Sequence, residues 1–343
     1  MKKLLNTLYV STPGAYVFHE GESVVVRHEQ EVKFRVPIHH LGGLVCIGSV
    51  SVSSPLLGLC GERGVLVSLL SETGRFQARV QTQVTGNVLL RREQYRRADD
   101  ETGRLEIARA FVLGKLANAR VVLQRAARDH GGEEGDAILN RVVLRLSGRI
   151  EAARAEGDLD RLRGIEGDSA RDYFEALDRT IVAQKDAFFM RGRSRRPPMD
   201  NFNALLSFVY TLLVHDAESA LESVGLDPQV GYLHAERPGR PSLALDLIEE
   251  FRPFLADRLA LSLVNLRQVQ GDGFQASESG GVIMDDDTRK QVIVAYQKRK
   301  QEELTHPFIE ETVSVGLFIH IQAQLLARYL RGDMDGYPPF IWK

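Results

Sequence analysis

One histidine and two nearby acids have the residue types of a site for a divalent metal ion. His234 ends the segment Gly231-Tyr232-Leu233-His234, and Asp246 and Glu249 follow after a turn rich in arginine and proline. Because the two acids are three positions apart, they share one face of a predicted helix. One imidazole with carboxylates suits Mg²⁺ or Mn²⁺ better than a structural zinc site, which normally uses thiolates or more histidines. A satisfied core histidine beside a solvated acidic helix is the alternative interpretation.

A third acid follows closely on one glycine and directly precedes another, in the segment Gly164-Ile165-Glu166-Gly167-Asp168. A helix is predicted to start just beyond it. Glycine lets the backbone take conformations that other residues avoid, so Glu166 could project from a tight turn toward a substrate. In the alternative interpretation, Glu166 or Asp168 caps the helix with its carboxylate.

A basic loop supplies candidate phosphate contacts. Four arginines occur within six residues, just before a proline pair that forbids a helix: Arg191, Arg193, Arg195 and Arg196. Guanidinium groups can bind two phosphate oxygens at once, and counterion release favours the complex. A solvated charged loop is the alternative. In the next predicted helix, Asn203 and Ser207 lie four apart and either line a polar cleft or hydrogen-bond to a neighbouring helix.

These segments need a scaffold, and the first part of the chain is predicted to form strands. Short runs rich in β-branched and aromatic residues are separated by glycine, proline and polar turns. The predicted strands are Leu8-Tyr9-Val10, Ala15 to Phe18, Val24 to Val26, Val32 to Val36, Gly43 to Ile47, Val65 to Leu70 and Phe76 to Val80, with a turn at Glu20-Gly21 and one short helix from Ser54 to Leu59.

From about Asn87 the pattern changes, because apolar residues recur three and four apart with Arg, Glu and Gln between them. The predicted helices are Leu105 to Arg128, Glu133 to Glu156, Ala170 to Phe189, Ala204 to Val224, Leu243 to Val264, Asp286 to Leu304 and Val313 to Arg331. We therefore expect an α+β protein, with a small N-terminal β-rich domain over residues 1–85 and a larger all-α domain over residues 86–343.

Composition narrows the class of protein. At 343 residues with 43% hydrophobic content, the chain can build two cores, and its 44 basic and 46 acidic residues give no global attraction to nucleic acid. Cys46 and Cys60 fit neither a disulfide framework nor a CxxC motif, so both are expected to be reduced core thiols. The chain contains no run of eighteen uncharged apolar residues, and its Met1-Lys2-Lys3 start lacks a signal-peptide pattern, which favours a soluble cytoplasmic protein without a membrane partner.

Taken together, the motifs resemble the CRISPR-associated adaptation integrases, the family of the first-numbered Cas protein, and the details are most similar to the version found with type I-C systems. The resemblance rests on several segments in order: Arg35-x-Pro37, Asn87-x-Leu89-Leu90-Arg91 with Gln94, Lys115-x-x-Asn118 with Arg125, Glu166-Gly167 with Ala170-Arg171 and Tyr173, Arg196-Pro197-Pro198 through Asp200, Asn203, Leu206-Ser207 and Tyr210, then Gly231, His234 and Asp246-x-x-Glu249-x-Phe251-Arg252-Pro253. One departure is Glu249, where many members have aspartate.

The resemblance implies a function for these residues. Glu166, His234 and Glu249 would be the catalytic residues and hold Mg²⁺ or Mn²⁺, with Asp246 either supporting these ligands or serving as an auxiliary ligand. The implied reaction is a strand transfer in which the 3′ hydroxyl of a captured double-stranded DNA fragment attacks a CRISPR repeat. The implied assembly is a homodimer, built through the β domain, beside a small ferredoxin-fold partner. Arg171 and the four arginines of the basic loop would contact DNA.

Two other functions stay open at this stage. The first is a metal-dependent nuclease that cleaves branched DNA in repair, which would use the same residues and chemistry. The second is a non-catalytic nucleic-acid scaffold, in which the basic loop binds phosphates while the acids and His234 form only structural pairs. Dependence of activity on a divalent metal would separate the enzymes from the scaffold.

Overall fold

The computed structural model describes residues 7–71, 76–80, 88–130, 133–277 and 280–342. The chain forms two compact units, residues 1–86 and 87–343, the first rich in strands and the second in helices. The predicted α+β class is confirmed. Met1-Lys2-Lys3, Asn87 and the predicted domain boundary at residue 85 lie outside the described residues.

The first unit contains two four-stranded sheets. Its elements are β1 (Thr7–Val10), β2 (Tyr16–Glu20), β3 (Ser23–His28), β4 (Glu31–Pro37), β5 (Gly43–Ile47), β6 (Ser51–Val52), α1 (Ser54–Glu62), β7 (Leu66–Leu70) and β8 (Phe76–Val80). In one sheet the strand order is β1-β5-β7-β8, with β1, β5 and β7 parallel and β8 antiparallel to β7. In the other sheet the order is β4-β3-β2-β6.

Burial explains why these strands differ in sequence. All five residues of β5 are buried, as its uninterrupted apolar sequence Gly-Leu-Val-Cys-Ile indicates for a central parallel strand. In contrast, β4 lies at a sheet edge and is almost wholly exposed. Cys46 and Cys60 are both buried free thiols, as predicted, and burial raises their pKa values to about 12 and about 11.

The second unit is a helical assembly with two small hairpins. Its helices are α2 (Val88–Asp99), α3 (Glu101–His130), α4 (Glu133–Ala155), α5 (Leu159–Asp178), α6 (Asn201–Ser223), α7 (Ser242–Ile248), α8 (Arg258–Asn265), α9 (Asp286–Gln301) and α10 (Phe318–Leu330). The hairpins, which the sequence patterns did not predict, are β9 (Phe274–Ala276) with β10 (Val282–Met284) and β11 (Glu303–Thr305) with β12 (Thr312–Ser314). The β11–β12 hairpin shortens the predicted helices on either side of it, because α9 ends at Gln301 and α10 begins only at Phe318.

Helix α5 corrects the predicted setting of Glu166. The helix begins at Leu159, where the Asp158 carboxylate accepts a hydrogen bond from Arg161 N at 2.8 Å, and it ends at Asp178. Glu166 therefore lies in the middle of a helix, and neither the predicted tight turn nor a capping role for Glu166 or Asp168 is correct. Two helical glycines cost about 1 kcal/mol each relative to alanine, too little to break a helix that has a good cap.

The predicted helix from Leu243 to Val264 is interrupted at the candidate site. Helix α7 ends at Ile248, and a π-helical segment follows over Arg252–Asp257 before α8 begins. Pro253 lacks an N–H group, so it cannot continue the regular i to i−4 ladder, and wider π turns are frequent at functional sites. This π segment, Arg252–Asp257, is fully buried.

Helix α6 is apolar and long enough, by length and composition alone, to pass for a membrane span. However, 78% of its most apolar stretch is buried within the protein. Such burial is typical of a core helix, and α6 packs against α7, α10 and the π segment.

Candidate active site

A buried lysine joins two of the predicted ligands. Lys115 projects from α3, and its ammonium nitrogen Nζ hydrogen-bonds to Glu166 Oε1 of α5 and lies 2.7 Å from Glu249 Oε2. The side chain of Lys115 is 9% exposed, that of Glu249 2% and that of Glu166 24%. The structure therefore brings Glu166 and Glu249 together around one cation, although 83 positions separate them in the chain.

Glu249 contacts two cations, Lys115 and Arg252, and faces the His234 imidazole. Arg252 Nη1 lies 2.7 Å from Glu249 Oε1, and His234 Nε2 lies 3.8 Å from the same oxygen. Burial raises the pKa of Glu249, but Arg252, Lys115 and His234 together outweigh burial and lower this pKa to about 2. Glu249 is therefore a carboxylate at neutral pH. We call Lys115, Glu166, His234, Glu249 and Arg252 the central cluster.

Asp246 fixes the orientation of His234. Its Oδ1 accepts a hydrogen bond from His234 N at 2.9 Å and lies 2.6 Å from His234 Nδ1, while Oδ2 accepts from Tyr232 N and Leu233 N. The Nδ1 proton therefore faces Asp246, which leaves the Nε2 lone pair on the side of Glu249. Of the two roles expected for Asp246, this geometry corresponds to support of the ligand His234; as an auxiliary metal ligand it would have to give up these hydrogen bonds.

Gly231 makes this arrangement possible. A Cβ atom at this position would lie 2.7 Å from Ser242 Cβ and 2.9 Å from Asp246 Oδ2. Any larger residue would push the His234 segment away from the start of α7. The glycine therefore allows the backbone N–H groups of the segment to reach the Asp246 carboxylate.

A second polar group adjoins the central cluster. Asp257 at the end of the π segment accepts hydrogen bonds from Tyr173 OH at 2.8 Å and from Tyr210 OH at 2.6 Å. Burial raises the pKa of Asp257 to about 6, against the lowering effect of the two tyrosines and of nearby arginines. The Tyr210 ring lies 4.9 Å from the guanidinium carbon of Arg252. Lys115, Tyr173, Tyr210 and Arg252 line one narrow cleft.

The four arginines of the basic loop are not equivalent. Arg193 points inward, where Nη1 donates to Asn203 Oδ1 at 2.8 Å and Nη2 donates to Ser207 Oγ at 3.1 Å, and it lies 5.2 Å from the Tyr210 ring. Asn203 and Ser207 thus hydrogen-bond to the basic loop. Their spacing had suggested instead a polar cleft or a bond to a neighbouring helix. The other three arginines, Arg191, Arg195 and Arg196, are exposed. Arg171 is exposed as well and pairs with Asp168 at 3.1 Å.

The donor chemistry of the central cluster fits a hard divalent cation. In the part of the chain that the structure describes, no group of three or more histidines, cysteines or acids has the geometry of a ready metal cage. The carboxylates instead converge on the Lys115 ammonium, which stands where a cation is favoured. Within the central cluster the charges of Glu166 and Glu249 balance those of Lys115 and Arg252, so an added cation would compete with the Lys115 ammonium for the two carboxylates. Carboxylate oxygens with one imidazole nitrogen are ligands that Mg²⁺ and Mn²⁺ accept.

Sequence reasoning missed Lys115 and Arg252 as site residues, although both belong to the motifs of the family resemblance. The available signal was a lysine within the largely apolar run Phe111 to Ala119 of a predicted helix, where a charge without a partner would be costly. That signal gives no partner, because the two acids that pair with Lys115 are 51 and 134 positions away.

Comparison with known proteins agrees with this architecture. Residues 8–298 match the family model described as CRISPR associated protein Cas1. A CRISPR-associated endonuclease Cas1 from Chlorobaculum tepidum is 53% identical over 343 residues, covering 100% of both chains. Among solved structures, a casposase bound to integration product has a TM-score of 0.83 at 19% identity and covers 98% of this chain and 94% of that one. A Cas6-RT-Cas1–Cas2 complex has a TM-score of 0.83 at 22% identity and covers 98% of this chain and 36% of that one.

A β-rich unit followed by this helical unit, with acids, an imidazole and a lysine gathered at its centre, agrees with the class of CRISPR-associated proteins that the family model and the Chlorobaculum relative represent. Within that class the assignment is specific. The chain belongs to the Cas1 family, as both the extent of the family match and the identity to the Chlorobaculum relative show.

Proposed function

We propose that this chain is a divalent-metal-dependent DNA endonuclease and integrase that inserts captured DNA fragments into a CRISPR array. The observation that carries the proposal is the convergence of Glu166 and Glu249 on one buried cation, Lys115 Nζ, with His234 Nε2 3.8 Å from the other oxygen of Glu249. A purely structural ion pair would need one acid for one lysine. Here Lys115 contacts two acids, and one of them, Glu249, also contacts Arg252 and faces an oriented imidazole.

In this proposal Glu166, His234 and Glu249 hold Mg²⁺ or Mn²⁺, and Asp246 keeps the imidazole in place. The bound ion would offset charge on the scissile phosphate and favour deprotonation of the attacking hydroxyl. Lys115 and Arg252, beside the same carboxylates, would be placed to contact phosphate oxygens. The attacking 3′ hydroxyl loses a proton as its oxygen bonds to phosphorus, and the departing 3′ oxygen gains one.

The substrates in this proposal are double-stranded DNA fragments and the CRISPR repeat. Arg171, Arg191, Arg195 and Arg196 are exposed and available for phosphate contacts, whereas Arg193 supports the loop from within. The likeness to a casposase bound to integration product supports strand transfer as the reaction. The likeness to a chain of a Cas1–Cas2 complex supports assembly with a small ferredoxin-fold partner. The proposal also includes dimerisation of two copies through the β-rich unit. It places the protein in a type I-C CRISPR system and in the cytoplasm.

One experiment separates strand transfer from simple hydrolysis. A labelled duplex with free 3′ hydroxyl ends is incubated with a repeat-containing plasmid and Mn²⁺ or Mg²⁺, and a matched duplex with 3′-deoxy ends serves as the control. We expect joined products only from the hydroxyl-bearing duplex, with loss of product in chelator and in a Glu249→Gln variant. Joined products that form in chelator would overturn the metal-dependent mechanism.

The same assay addresses the two other functions. A branched-DNA nuclease would cut a Y-shaped or Holliday-type substrate in Mn²⁺ without forming joined products from the hydroxyl-bearing duplex. A scaffold would bind both duplexes and change neither. Because the nuclease and the integrase use the same ligands, the joined product is the result that favours integration.

A further inference from the structure

The segment Tyr337–Trp342, here called the C-terminal strap, packs directly behind the central cluster. It has no helix or strand, yet Tyr337 and Phe340 are buried. A terminal segment without secondary structure is ordered only where its backbone and side chains find partners. Two of its partners, Asn118 and Glu250, lie close in the chain to Lys115 and Glu249, respectively.

Glu250, the neighbour of Glu249, is one of these partners. Its Oε1 accepts a hydrogen bond from Tyr337 OH at 2.7 Å, and its Oε2 accepts from Phe340 N at 2.7 Å and from Gln322 Nε2 at 3.0 Å. Gln322 Nε2 also donates to Pro338 O at 3.0 Å. Since Glu249 and Glu250 are adjacent, the strap restrains the backbone that carries a predicted ligand.

Asn118 makes a second connection, one turn of α3 beyond Lys115. Its Nδ2 donates to Glu250 O at 2.7 Å and to Phe340 O at 2.9 Å, and its Oδ1 accepts from Trp342 N at 2.8 Å. A single buried amide thus joins three pieces of chain: α3, the turn after α7 and the strap. Gly114 allows the close approach, because a Cβ there would lie 2.9 Å from Glu250 Cγ.

Aromatic packing completes the interaction. The Phe340 ring stacks on Phe251 with centroids 5.0 Å apart and lies 5.0 Å from the Phe254 ring of the π segment. Trp342 lies 5.2 Å from Phe254, and the guanidinium carbons of Arg125 and Arg258 lie 3.7 Å and 4.2 Å from its ring. The strap therefore covers the backbone between Glu249 and Asp257, where the π segment interrupts the regular α-helical pattern.

We propose that the C-terminal strap is a positioning element of the active site, which holds the Glu249–Asp257 backbone against α3 so that Glu249 and Arg252 face Lys115. The inference rests on the proposed function for the meaning of that site. Phe340 and Tyr337 act through Glu250, Asn118 and the π segment, since these are the groups that they bind and pack against. Their role is to orient the ligands; they take no part in the chemistry.

The test compares a strap variant with an equally destabilised control. Phe340→Ala removes the stacked ring but keeps the backbone hydrogen bonds, and Phe340→Leu keeps most of the apolar packing. Val292→Ala truncates a buried residue of α9, a helix that supplies no member of the central cluster. For each variant we would measure melting temperature, hydrogen exchange over residues 249–257, Mn²⁺ binding by electron paramagnetic resonance, and DNA joining.

We expect Phe340→Ala to lower DNA joining about 10²-fold, because a ligand displaced by about 1 Å costs roughly that much. Its Mn²⁺ binding should weaken and exchange over residues 249–257 should speed up, while Phe340→Leu stays near wild type. Val292→Ala should lose a similar amount of thermal stability with normal Mn²⁺ binding. Equal Mn²⁺ binding and exchange in Phe340→Ala and wild type, or equal losses in Phe340→Ala and Val292→Ala, would overturn the proposal.

A second measurement keeps the apolar packing and the full chain. Tyr337→Phe removes only the hydroxyl that donates to Glu250, and Tyr296→Phe, the matched control on α9, removes only the hydroxyl that donates to Asp216. We expect faster exchange over residues 249–257 in Tyr337→Phe and unchanged exchange there in Tyr296→Phe. Equal exchange over these residues in the two variants would count against the strap. If the wild type shows no metal-dependent joining, the proposed function fails, but the exchange results still decide this inference.

Discussion

The carboxylates of Asp246 and Glu249 lie on a buried side of the site, whereas Glu166 lies on a side that solvent reaches. Asp246, which holds His234, accepts three backbone hydrogen bonds, and Glu249 is 2% exposed. Glu166 projects from the middle of α5, and Gly164 and Gly167 beside it have open space where a Cβ would be. We call the buried side the fixed side, because the fold holds it in place. We call the side of Glu166 the open side, because it leaves room for a substrate to approach.

This difference teaches how a site can be stable before its substrate arrives. Buried charges are tolerated where partners surround them, so the fixed side can be assembled during folding. The open side needs fewer protein ligands, because in the proposed mechanism phosphate would complete the coordination of the bound ion there. Substitutions on the two sides should therefore separate stability from activity.

The largest effects should come from single substitutions of the two acids, Glu249 and Glu166, compared with each other. Glu249→Gln leaves Lys115 and Arg252 without a full counter-charge, so we expect a stability loss of about 3 kcal/mol together with loss of DNA joining. Glu166→Gln should abolish joining to a similar degree but change stability by less than about 1 kcal/mol, since a pair that solvent reaches contributes little. Urea denaturation and the joining assay on both variants would test this; equal stability losses would show that the two sides do not differ.

Asp246→Asn is expected to have the next largest effect. An amide in place of the carboxylate would turn an NH₂ group toward backbone N–H donors, which we expect to cost about 2 kcal/mol. The imidazole would also lose its orienting partner, so Mn²⁺ affinity should fall about 10-fold or more. Asp160→Asn, at an exposed position that pairs with Arg163, is a matched control that should change neither property. A stable Asp246→Asn variant with normal Mn²⁺ binding would contradict the fixed-side interpretation.

Sequence patterns predicted which residues would be ligands but not the local structure that carries them. The resemblance named Glu166, His234 and Glu249, and the periodicity gave the β-rich and helical parts in the right order. The glycines around Glu166 suggested a turn, because the Asp158 cap eight positions earlier went unnoticed. Pro253 inside a predicted helix was a visible warning, but whether it produces a kink or a π segment depends on packing against α3, α6 and the strap.

Asp257 gives the fixed side a measurable pH dependence. Its folded pKa is raised to about 6 from 3.8, so the folded state binds the proton more tightly than the unfolded chain. The stabilisation by protonation is therefore complete below about pH 4 and is lost as pH rises through about 6, with a total of at most about 3 kcal/mol. Asp257→Asn cannot lose a proton, so its melting temperature should improve relative to wild type between about pH 4.5 and pH 7.5. Parallel curves for the two proteins would contradict this.

The arginines of the basic loop also differ in their setting, since Arg193 points inward and the other three are exposed. Replacing Arg191, Arg195 and Arg196 with alanine should weaken binding to duplexes of any sequence. The slope of log affinity against log salt should shrink by about 0.9 for each phosphate that the variant no longer neutralises. Arg193→Ala should instead lower stability, because it removes the bonds to Asn203 and Ser207. Fluorescence anisotropy across a salt series distinguishes them, and an unchanged slope in the triple variant would assign those arginines to another role.

The smallest expected effect tests the open side directly. A Cβ at Gly167 would meet no atom within 4 Å, so Gly167→Ala should stabilise the protein by about 0.5 to 1 kcal/mol through the better helix propensity of alanine. Gly231→Ala should do the reverse, because its Cβ would overlap Ser242 and Asp246 on the fixed side. DNA binding then decides what the open space is for. If duplex DNA approaches α5 at this point, the added methyl group would occupy the path of the DNA backbone. The more stable Gly167→Ala protein should then bind DNA less tightly. Improved stability with unchanged affinity would mean that substrate reaches Glu166 from another direction.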